Sequence, residues 1–161
     1  MKLNKFLKLL YYHIGAVYYG HTRGIIRFFF KTVMPSVIIV DDDRGTLELF
    51  DDFLDQGGIE VIGKARNGKA AVELFINSRP DIVLLDVLMP EYDGLYALEK
   101  IREIDPDAKV IMVTADLTAD TEKKLQELNA TAVIYKPYEI GSVLDTIDKV
   151  NQGVLVAFNQ S

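Results

Sequence analysis

The sequence predicts an α/β fold, a doubly wound, five-stranded parallel sheet with helices on both faces. Strand and helix patterns alternate five times between residues 35 and 150. Most of the strand candidates are short apolar runs without polar alternation, which is typical of parallel strands covered on both faces. The chain has 161 residues, of which 49% are hydrophobic, enough for one domain with its own core. Right-handed crossovers then place helices on both sides of the sheet.

The elements follow one another as strand, helix, strand, each bounded by turn residues. Strands are expected, in order, at Val37–Val40, Ile59–Ala65, Ile82–Leu85, Val110–Val113 and Val133–Tyr135. Helices are expected between and after them at Arg44–Gln56, Lys69–Ser78, Gly94–Ile104, Thr118–Leu128 and Ile140–Val150.

Turn residues justify these boundaries. Gly57 and Gly58 end the first helix, and Pro80 stops the second. The third closes before Pro106, and Asn129 is predicted to cap the fourth in the left-handed conformation. Residues 35–150 are therefore expected to form one domain, preceded by an extension, 1–34, and followed by a short tail, 151–161.

Charge is distributed unevenly along the chain. The total is −6, from 18 Lys and Arg and 24 Asp and Glu. Residues 1–35 contain six bases and no acid, so the rest holds 12 bases and all 24 acids. An acidic domain argues against a nucleic-acid partner, since phosphates repel it. The absence of cysteine excludes disulfides and thiolate metal sites, and two histidines, His13 and His21, do not suggest a His-rich zinc site.

The basic, aromatic extension of residues 1–34 leaves two interpretations open. Its longest stretch without Lys, Arg, Asp or Glu, residues 9–22, has 14 residues, whereas a membrane span needs about 20. Helical spacing of apolar residues from Leu3 to Val17 indicates a basic amphipathic helix that contacts a membrane surface through residues 1–33. Alternatively, the segment is a poorly ordered extension or lies upstream of a true start at Met34.

Polar side chains follow four of the five predicted strands. Asp41, Asp42 and Asp43 follow the first, Asp86 the third, Thr114 the fourth and Lys136 the fifth. Parallel strands present their carboxyl ends at one edge of the sheet, so these groups are expected to converge. Singly, each has a structural explanation: an acid can cap a helix, Thr114 can cap a loop, and Lys136 can be a solvated charge.

Convergence of several carboxylates favours a chemical role, because they repel one another unless a cation is present. All-oxygen ligands suit Mg²⁺. An Asp in such a site can act as a nucleophile and form an aspartyl phosphate, while the metal, a lysine and a hydroxyl stabilise the phosphoryl oxygens. The residue types fit phosphoryl transfer onto Asp86.

Four segments resemble the receiver domain of two-component response regulators, and the resemblance covers about residues 35–150. They are Val37–Asp43, Leu84–Gly94, Val113–Ala115 and Lys136–Pro137. The resemblance implies a flavodoxin-like sheet of order 2-1-3-4-5. It also implies a cytoplasmic, single-domain signalling protein rather than an enzyme, one that receives phosphate from a histidine kinase or phosphotransfer protein and acts on a downstream protein target.

The resemblance also implies roles for individual residues. Asp86 would be the phosphoacceptor, with Thr114 and Lys136 contacting the phosphoryl group. Mg²⁺ would be held by Asp41, Asp42, Asp86 and the backbone carbonyl of Leu88. The Lys136–Pro137 bond would be cis.

One position departs from the usual family pattern, and two others lie where the family varies. The family usually has an aromatic residue three positions before the lysine, where this chain has Val133. Tyr135, one residue before Lys136, is expected on the opposite side of the strand from Lys136 and so is not an obvious substitute. Leu88 and Asp116 occupy two variable positions that, in the family, tune the loss of phosphate.

Other functions are less compatible with the residues. An aspartyl-nucleophile phosphatase would need a general acid two residues after Asp86, where Leu88 has no proton to give. A flavin-binding flavodoxin would need a phosphate-binding loop at the acidic residues 41–43. A scaffold that is never phosphorylated is not expected, since all the functional positions are intact. No output domain is expected after Val150, and the apolar segment Val154–Phe158 is expected to pack on its own domain.

Overall fold

The computed structural model describes residues 16–18, 28–30, 35–154 and 156. The chain divides into two units, Met1–Met34 and Pro35–Ser161. In the first unit, β1 (Ala16–Tyr18) pairs with β2 (Phe28–Phe30) as antiparallel strands. Of the helix expected from Leu3 to Val17, residues 3–15 lie outside the described residues. Its last part is wrong, because Val17 lies in β1 opposite Phe29.

The second unit alternates five strands and five helices. The strands are β3 (Ser36–Val40), β4 (Glu60–Ala65), β5 (Ile82–Asp86), β6 (Val110–Thr114) and β7 (Ala132–Tyr135). The helices are α1 (Arg44–Gln56), α2 (Gly68–Ser78), α3 (Gly94–Ile104), α4 (Ala119–Glu127) and α5 (Ile140–Asn151). All neighbouring strands are parallel, in the order β4-β3-β5-β6-β7, which confirms the predicted order 2-1-3-4-5. Within the described part of the chain, no helix has the length and apolar character to cross a membrane.

Helix ends explain the small differences from the expected boundaries. Gly58 adopts a positive φ of 75°, and the following Ile59 amide returns to the Leu54 carbonyl at 2.8 Å, so β4 starts one residue late. Thr118 caps α4 rather than opening it. Asn129 has a φ of 53°, which confirms its predicted left-handed conformation. The sequence did not predict that Arg79 would close α2 with a φ of 48°.

Side chains alternate along the strands to form two hydrophobic layers. Helices α2, α3 and α4 cover one face, where Phe75, Leu98 and Leu125 pack on strand residues such as Val83 and Met112. Helices α1 and α5 cover the other face, where their apolar residues meet the intervening strand positions. With both faces covered, strands β3, β5 and β6 are buried along nearly their whole length, and polar residues at their ends are the places where chemistry can occur.

The tail packs partly on its own domain. Helix α5 ends at Asn151, so the apolar segment beyond it does not extend the helix. Val154 is exposed, while Val156 packs against the layer that contains α1 and α5. The other residues of Val154–Phe158 lie outside the described residues.

Gly94 allows the start of α3 to lie directly against the end of β5. Its amide donates to the Val87 carbonyl at 2.9 Å. A Cβ at this position would lie 2.1 Å from the Asp86 carbonyl oxygen and 2.8 Å from the Val87 Cα. Both obstacles are backbone atoms, so a side chain here would displace the loop that follows Asp86.

We therefore expect Gly94→Ala to lower the free energy of unfolding by about 3 kcal/mol, the upper part of the usual range for overpacking. The matched control is Gly141→Ala in α5, where a Cβ meets nothing within 4 Å. This control should raise stability by about 0.5 kcal/mol through the better helix propensity of alanine. Urea unfolding followed by circular dichroism measures both, and equal effects of the two substitutions would contradict the steric argument.

We also expect a shortened chain that begins at Met34 to fold. All five strands of the parallel sheet lie between residues 36 and 135, and the described residues of both hydrophobic layers lie between residues 37 and 156. The melting temperature of the shortened chain should stay within a few degrees of that of the full chain. A chain that fails to fold would show that residues 1–33 contribute to the core.

Candidate functional site

Four strand ends bring the candidate residues to the carboxyl edge of the sheet. Asp41 and Asp42 follow β3, Asp86 is the last residue of β5, Thr114 ends β6, and Lys136 follows β7. The strand register aligns these ends, since Val40 pairs with Leu85 and Asp86 with Val113. The structure thus places all five side-chain positions of the predicted site along one edge.

Three of these residues form an acidic cluster. Carboxylate oxygens of Asp41, Asp42 and Asp86 lie within 4.8 Å of one another. Asp41 and Asp86 are only 6% and 5% exposed, and Asp42 is half-buried. Burial raises the pKa of the Asp86 carboxyl, and the charges of Asp41 and Asp42 act in the same direction, against the lowering effect of Lys136. The cluster is therefore short of positive charge.

Lys136 brings a positive charge into contact with this cluster. Its Nζ donates to Asp86 Oδ1 at 2.8 Å and to Asp41 Oδ2 at 3.3 Å. Burial alone would lower the pKa of Lys136, but the hydrogen bond to Asp86 and the two carboxylate charges outweigh it and raise the pKa above its ordinary value. The ammonium group therefore stays charged, and the interpretation of Lys136 as a solvated surface charge is wrong. The Lys136–Pro137 bond is cis, as expected.

The third acid of the run, Asp43, has a structural role. Its Oδ2 accepts the Thr46 amide at 2.7 Å and the Thr46 hydroxyl at 2.9 Å, which caps α1. Its own amide donates to Asp41 Oδ1 at 2.9 Å. The helix-cap explanation offered for these acids thus describes Asp43, and the backbone amide of Asp43 also fixes one oxygen of Asp41.

Thr114 is fully buried, and its hydroxyl accepts the Asp116 amide at 2.9 Å. Among the described residues, no hydrogen bond joins it to Asp86, so it acts here as the loop cap that the sequence offered as an alternative. Asp116 is itself engaged: its carboxylate accepts the Thr121 hydroxyl at 2.5 Å and the Thr118 amide at 2.9 Å. These hydrogen bonds, with Thr121 first, lower the pKa of Asp116.

The remaining positions singled out in the sequence lie close by along the chain. Leu88, two residues beyond Asp86, has a side chain that is 55% exposed. Val133 is buried in the layer beneath α3 and α4, and Tyr135 packs against the same layer. Tyr135 is also the register partner of Thr114. Its hydroxyl is buried without a hydrogen-bond partner in the described part of the chain.

The donor set of the acidic cluster fits a hard divalent cation. Three carboxylates against one ammonium group leave an excess of negative charge, and oxygen is the ligand atom that Mg²⁺ prefers. Mg²⁺ is usually held by one or two carboxylates together with water and phosphate oxygens. The cluster offers such a set.

Arg66 belongs to this edge but did not emerge from the sequence. It directly follows β4, the one strand of the sheet whose end carries none of the predicted site residues. Its guanidinium donates to the Asp42 carbonyl from Nε at 3.2 Å and from Nη2 at 2.8 Å. The sequence signal that could have identified Arg66 is its position directly after a predicted strand, as for the other residues of the site.

Comparison with known proteins identifies the family of this chain. The family model of the response regulator receiver domain matches residues 37–148. The chemotaxis protein CheY of Thermotoga maritima is 35% identical over 116 residues, which cover 72% of this chain and 97% of that protein. CheY of Listeria monocytogenes is 38% identical over 120 residues, covering 72% and 98%.

A solved structure is similar to this chain in both sequence and fold. The CheX–CheY–BeF3–Mg²⁺ complex from Borrelia burgdorferi contains a chain that is 33% identical, with a TM-score of 0.68. The match covers 71% of this chain and 87% of that chain. Receiver domains are signalling phosphoacceptors rather than enzymes in the ordinary sense, and they bind Mg²⁺ in an acidic pocket. By its sequence, its strand order and its acidic strand ends, this chain belongs to the receiver domain family of two-component response regulators.

Proposed function

We propose that Asp86 accepts a phosphoryl group from a phosphohistidine on a histidine kinase or phosphotransfer protein. The observation that carries this proposal is the position of Asp86, whose carboxylate contacts the Lys136 ammonium at 2.8 Å within a cluster of acids. Among the three clustered acids, Asp86 is the one on the central strand β5. The ammonium fixes one of its oxygens, which favours attack by the other.

Each residue has a defined task in the transfer. A carboxylate oxygen of Asp86 attacks phosphorus as the phosphorus–nitrogen bond breaks, and the departing imidazole keeps the bonding electron pair and is protonated from solvent. Lys136 has three donor hydrogens, so it can keep its contact with Asp41 while it holds a phosphoryl oxygen. The Thr114 hydroxyl accepts a hydrogen bond in the structure, which leaves its own proton to donate to a second phosphoryl oxygen.

Asp41, Asp42, Asp86 and the Leu88 backbone carbonyl would hold Mg²⁺. When bound, the ion neutralises negative charge on the phosphoryl oxygens and the surrounding carboxylates. The chain contributes the fixed positions of these oxygens. Asp41 is held from two sides, by the Asp43 amide on one oxygen and by Lys136 on the other.

Two side chains near Asp86 and Thr114 favour a long-lived aspartyl phosphate. Leu88 offers no group that could orient an attacking water. The carboxylate of Asp116 is already occupied by Thr121 and Thr118, so it is poorly placed to reach into the pocket and activate that water. Loss of phosphate then depends on water that enters without assistance.

The phosphorylated domain would act through contacts with a downstream protein. The Borrelia burgdorferi relative was solved as a complex of CheY with CheX, so a protein partner for this fold has a structural precedent. An aspartyl-nucleophile phosphatase remains a poorer explanation, because the exposed side chain two residues after Asp86 is a leucine.

We expect Asp86→Asn to abolish phosphorylation, since an amide keeps the shape but is not nucleophilic. The assay is intact-mass measurement after incubation with acetyl phosphate and Mg²⁺. The control, Asp43→Asn, keeps a good helix cap and should be phosphorylated like the wild type. Phosphorylation that persists in Asp86→Asn, or after Mg²⁺ is chelated, would refute the assignment.

A further prediction concerns the lifetime of the phosphoryl group. Leu88→Asn introduces an amide that can hydrogen-bond the attacking water, an interaction of about 1 kcal/mol that corresponds to roughly fivefold in rate. Phosphate loss should accelerate by about this factor, measured by mass after the phosphodonor is removed. Leu49→Asn on α1, at 54% exposure against 55% for Leu88, should leave the rate unchanged. Equal rates for Leu88→Asn and the wild type would contradict the role of Leu88.

A further inference from the structure

Arg66 makes a two-point contact with the loop that carries two of the acids. Its Nε and Nη2 lie 3.2 and 2.8 Å from the same oxygen, the backbone carbonyl of Asp42. A planar guanidinium that donates twice to one carbonyl restricts the position and orientation of that peptide group. Asp42 belongs to the acidic cluster, so the contact acts on the backbone that presents its carboxylate.

The sheet places Arg66 opposite this loop. Val40 pairs with Ala65, the last residue of β4, and the Asp41 amide donates to the Ala65 carbonyl at 3.2 Å. Arg66 is the next residue along the chain. The guanidinium contact therefore continues the pairing between β3 and β4 one step beyond the strands, into the loop of the acidic cluster.

The residues after Arg66 are anchored on the other acid-bearing loop. The Gly68 amide donates to the Tyr92 carbonyl at 2.7 Å. A Cβ at Gly68 would lie 2.4 Å from the Asp93 carbonyl oxygen, so backbone packs directly on backbone. Asn67 between them caps α2 by accepting the Ala70 amide at 2.8 Å. Backbone contacts therefore hold residues 66–68 in place between the loop that follows β3 and the loop that follows β5.

We propose that Arg66 is a positioning residue for the divalent-cation site, acting through the backbone of Asp42. This inference rests on the proposed function, in which Asp42 helps to hold Mg²⁺. The positive charge of Arg66 has the opposite effect, because it repels a cation. Arg66 is exposed, so solvent and salt screen that repulsion, whereas the hydrogen bonds act on the loop directly. Positioning therefore outweighs repulsion, and removal of Arg66 weakens cation binding.

The test is titration of the full chain with Mg²⁺ by calorimetry, without a phosphodonor. Loss of a residue that orients a metal ligand typically costs about 10-fold or more in affinity, and we expect about this loss for Arg66→Ala. Arg66→Lys keeps the charge but provides a point donor, so its affinity should fall between those of the wild type and Arg66→Ala. Lys69→Ala removes an exposed positive charge three residues along the chain and should change the affinity less than about twofold.

A second measurement separates positioning from general damage to the fold. Phosphorylation by acetyl phosphate should need about 10-fold more Mg²⁺ for half-saturation in Arg66→Ala and yet reach nearly the wild-type rate at saturating Mg²⁺. If Arg66→Ala does not fold, the same comparison is made with Arg66→Lys, whose affinity should still be lower than that of the wild type.

Mg²⁺ affinity in Arg66→Ala that equals or exceeds that of the wild type would overturn the inference, because charge repulsion would then be the main effect of Arg66. In that case Mg²⁺ binding by the wild type, and its loss in Asp42→Ala, would leave the proposed function standing. A wild-type chain that binds no Mg²⁺ would overturn both.

Discussion

The mutual repulsion of buried carboxylates is the constraint on which the site depends. Asp41, Asp42 and Asp86 present oxygens within 4.8 Å of one another, where each charge raises the cost of the others. Contacts around the cluster offset part of this repulsion. The Lys136 ammonium bridges Asp41 and Asp86, and the Asp43 amide donates to the other oxygen of Asp41. The remaining negative charge attracts a divalent cation, and that cation would in turn offset the repulsion between the carboxylates and a phosphoryl group.

The sequence predicted the sheet well because its signals are local and repeated. Apolar runs ended by Asp, Thr or Lys define strands, and Gly58 and Asn129 mark helix ends that need positive φ. Arg79 and Glu91 also adopt positive φ, with values of 48° and 65°, although neither residue type favours it. Packing and loop geometry impose these two conformations, so the local sequence pattern does not predict them.

The site was predicted less completely, because residue type does not say which partner a side chain takes. Three successive acids follow β3, and only the structure separates the helix cap Asp43 from the cluster members. The contact between Arg66 and Asp42 joins residues 24 positions apart and depends on strand pairing. The surroundings of Tyr135 also could not be predicted from its residue type. The sequence placed it away from Lys136, but the register sets it beside Thr114, on the layer that also contains Val133.

The hydrogen bonds around Asp116 have a consequence for signal timing. Its carboxylate is committed to the start of α4, through Thr121 and the Thr118 amide, and so contributes to the stability of that helix. If Asp86 is phosphorylated as proposed, this arrangement would keep Asp116 from assisting hydrolysis, and the phosphorylated state would decay slowly. The duration of its output would then be set by a separate protein that removes the phosphoryl group, and the pathway could adjust that duration without any change in this chain.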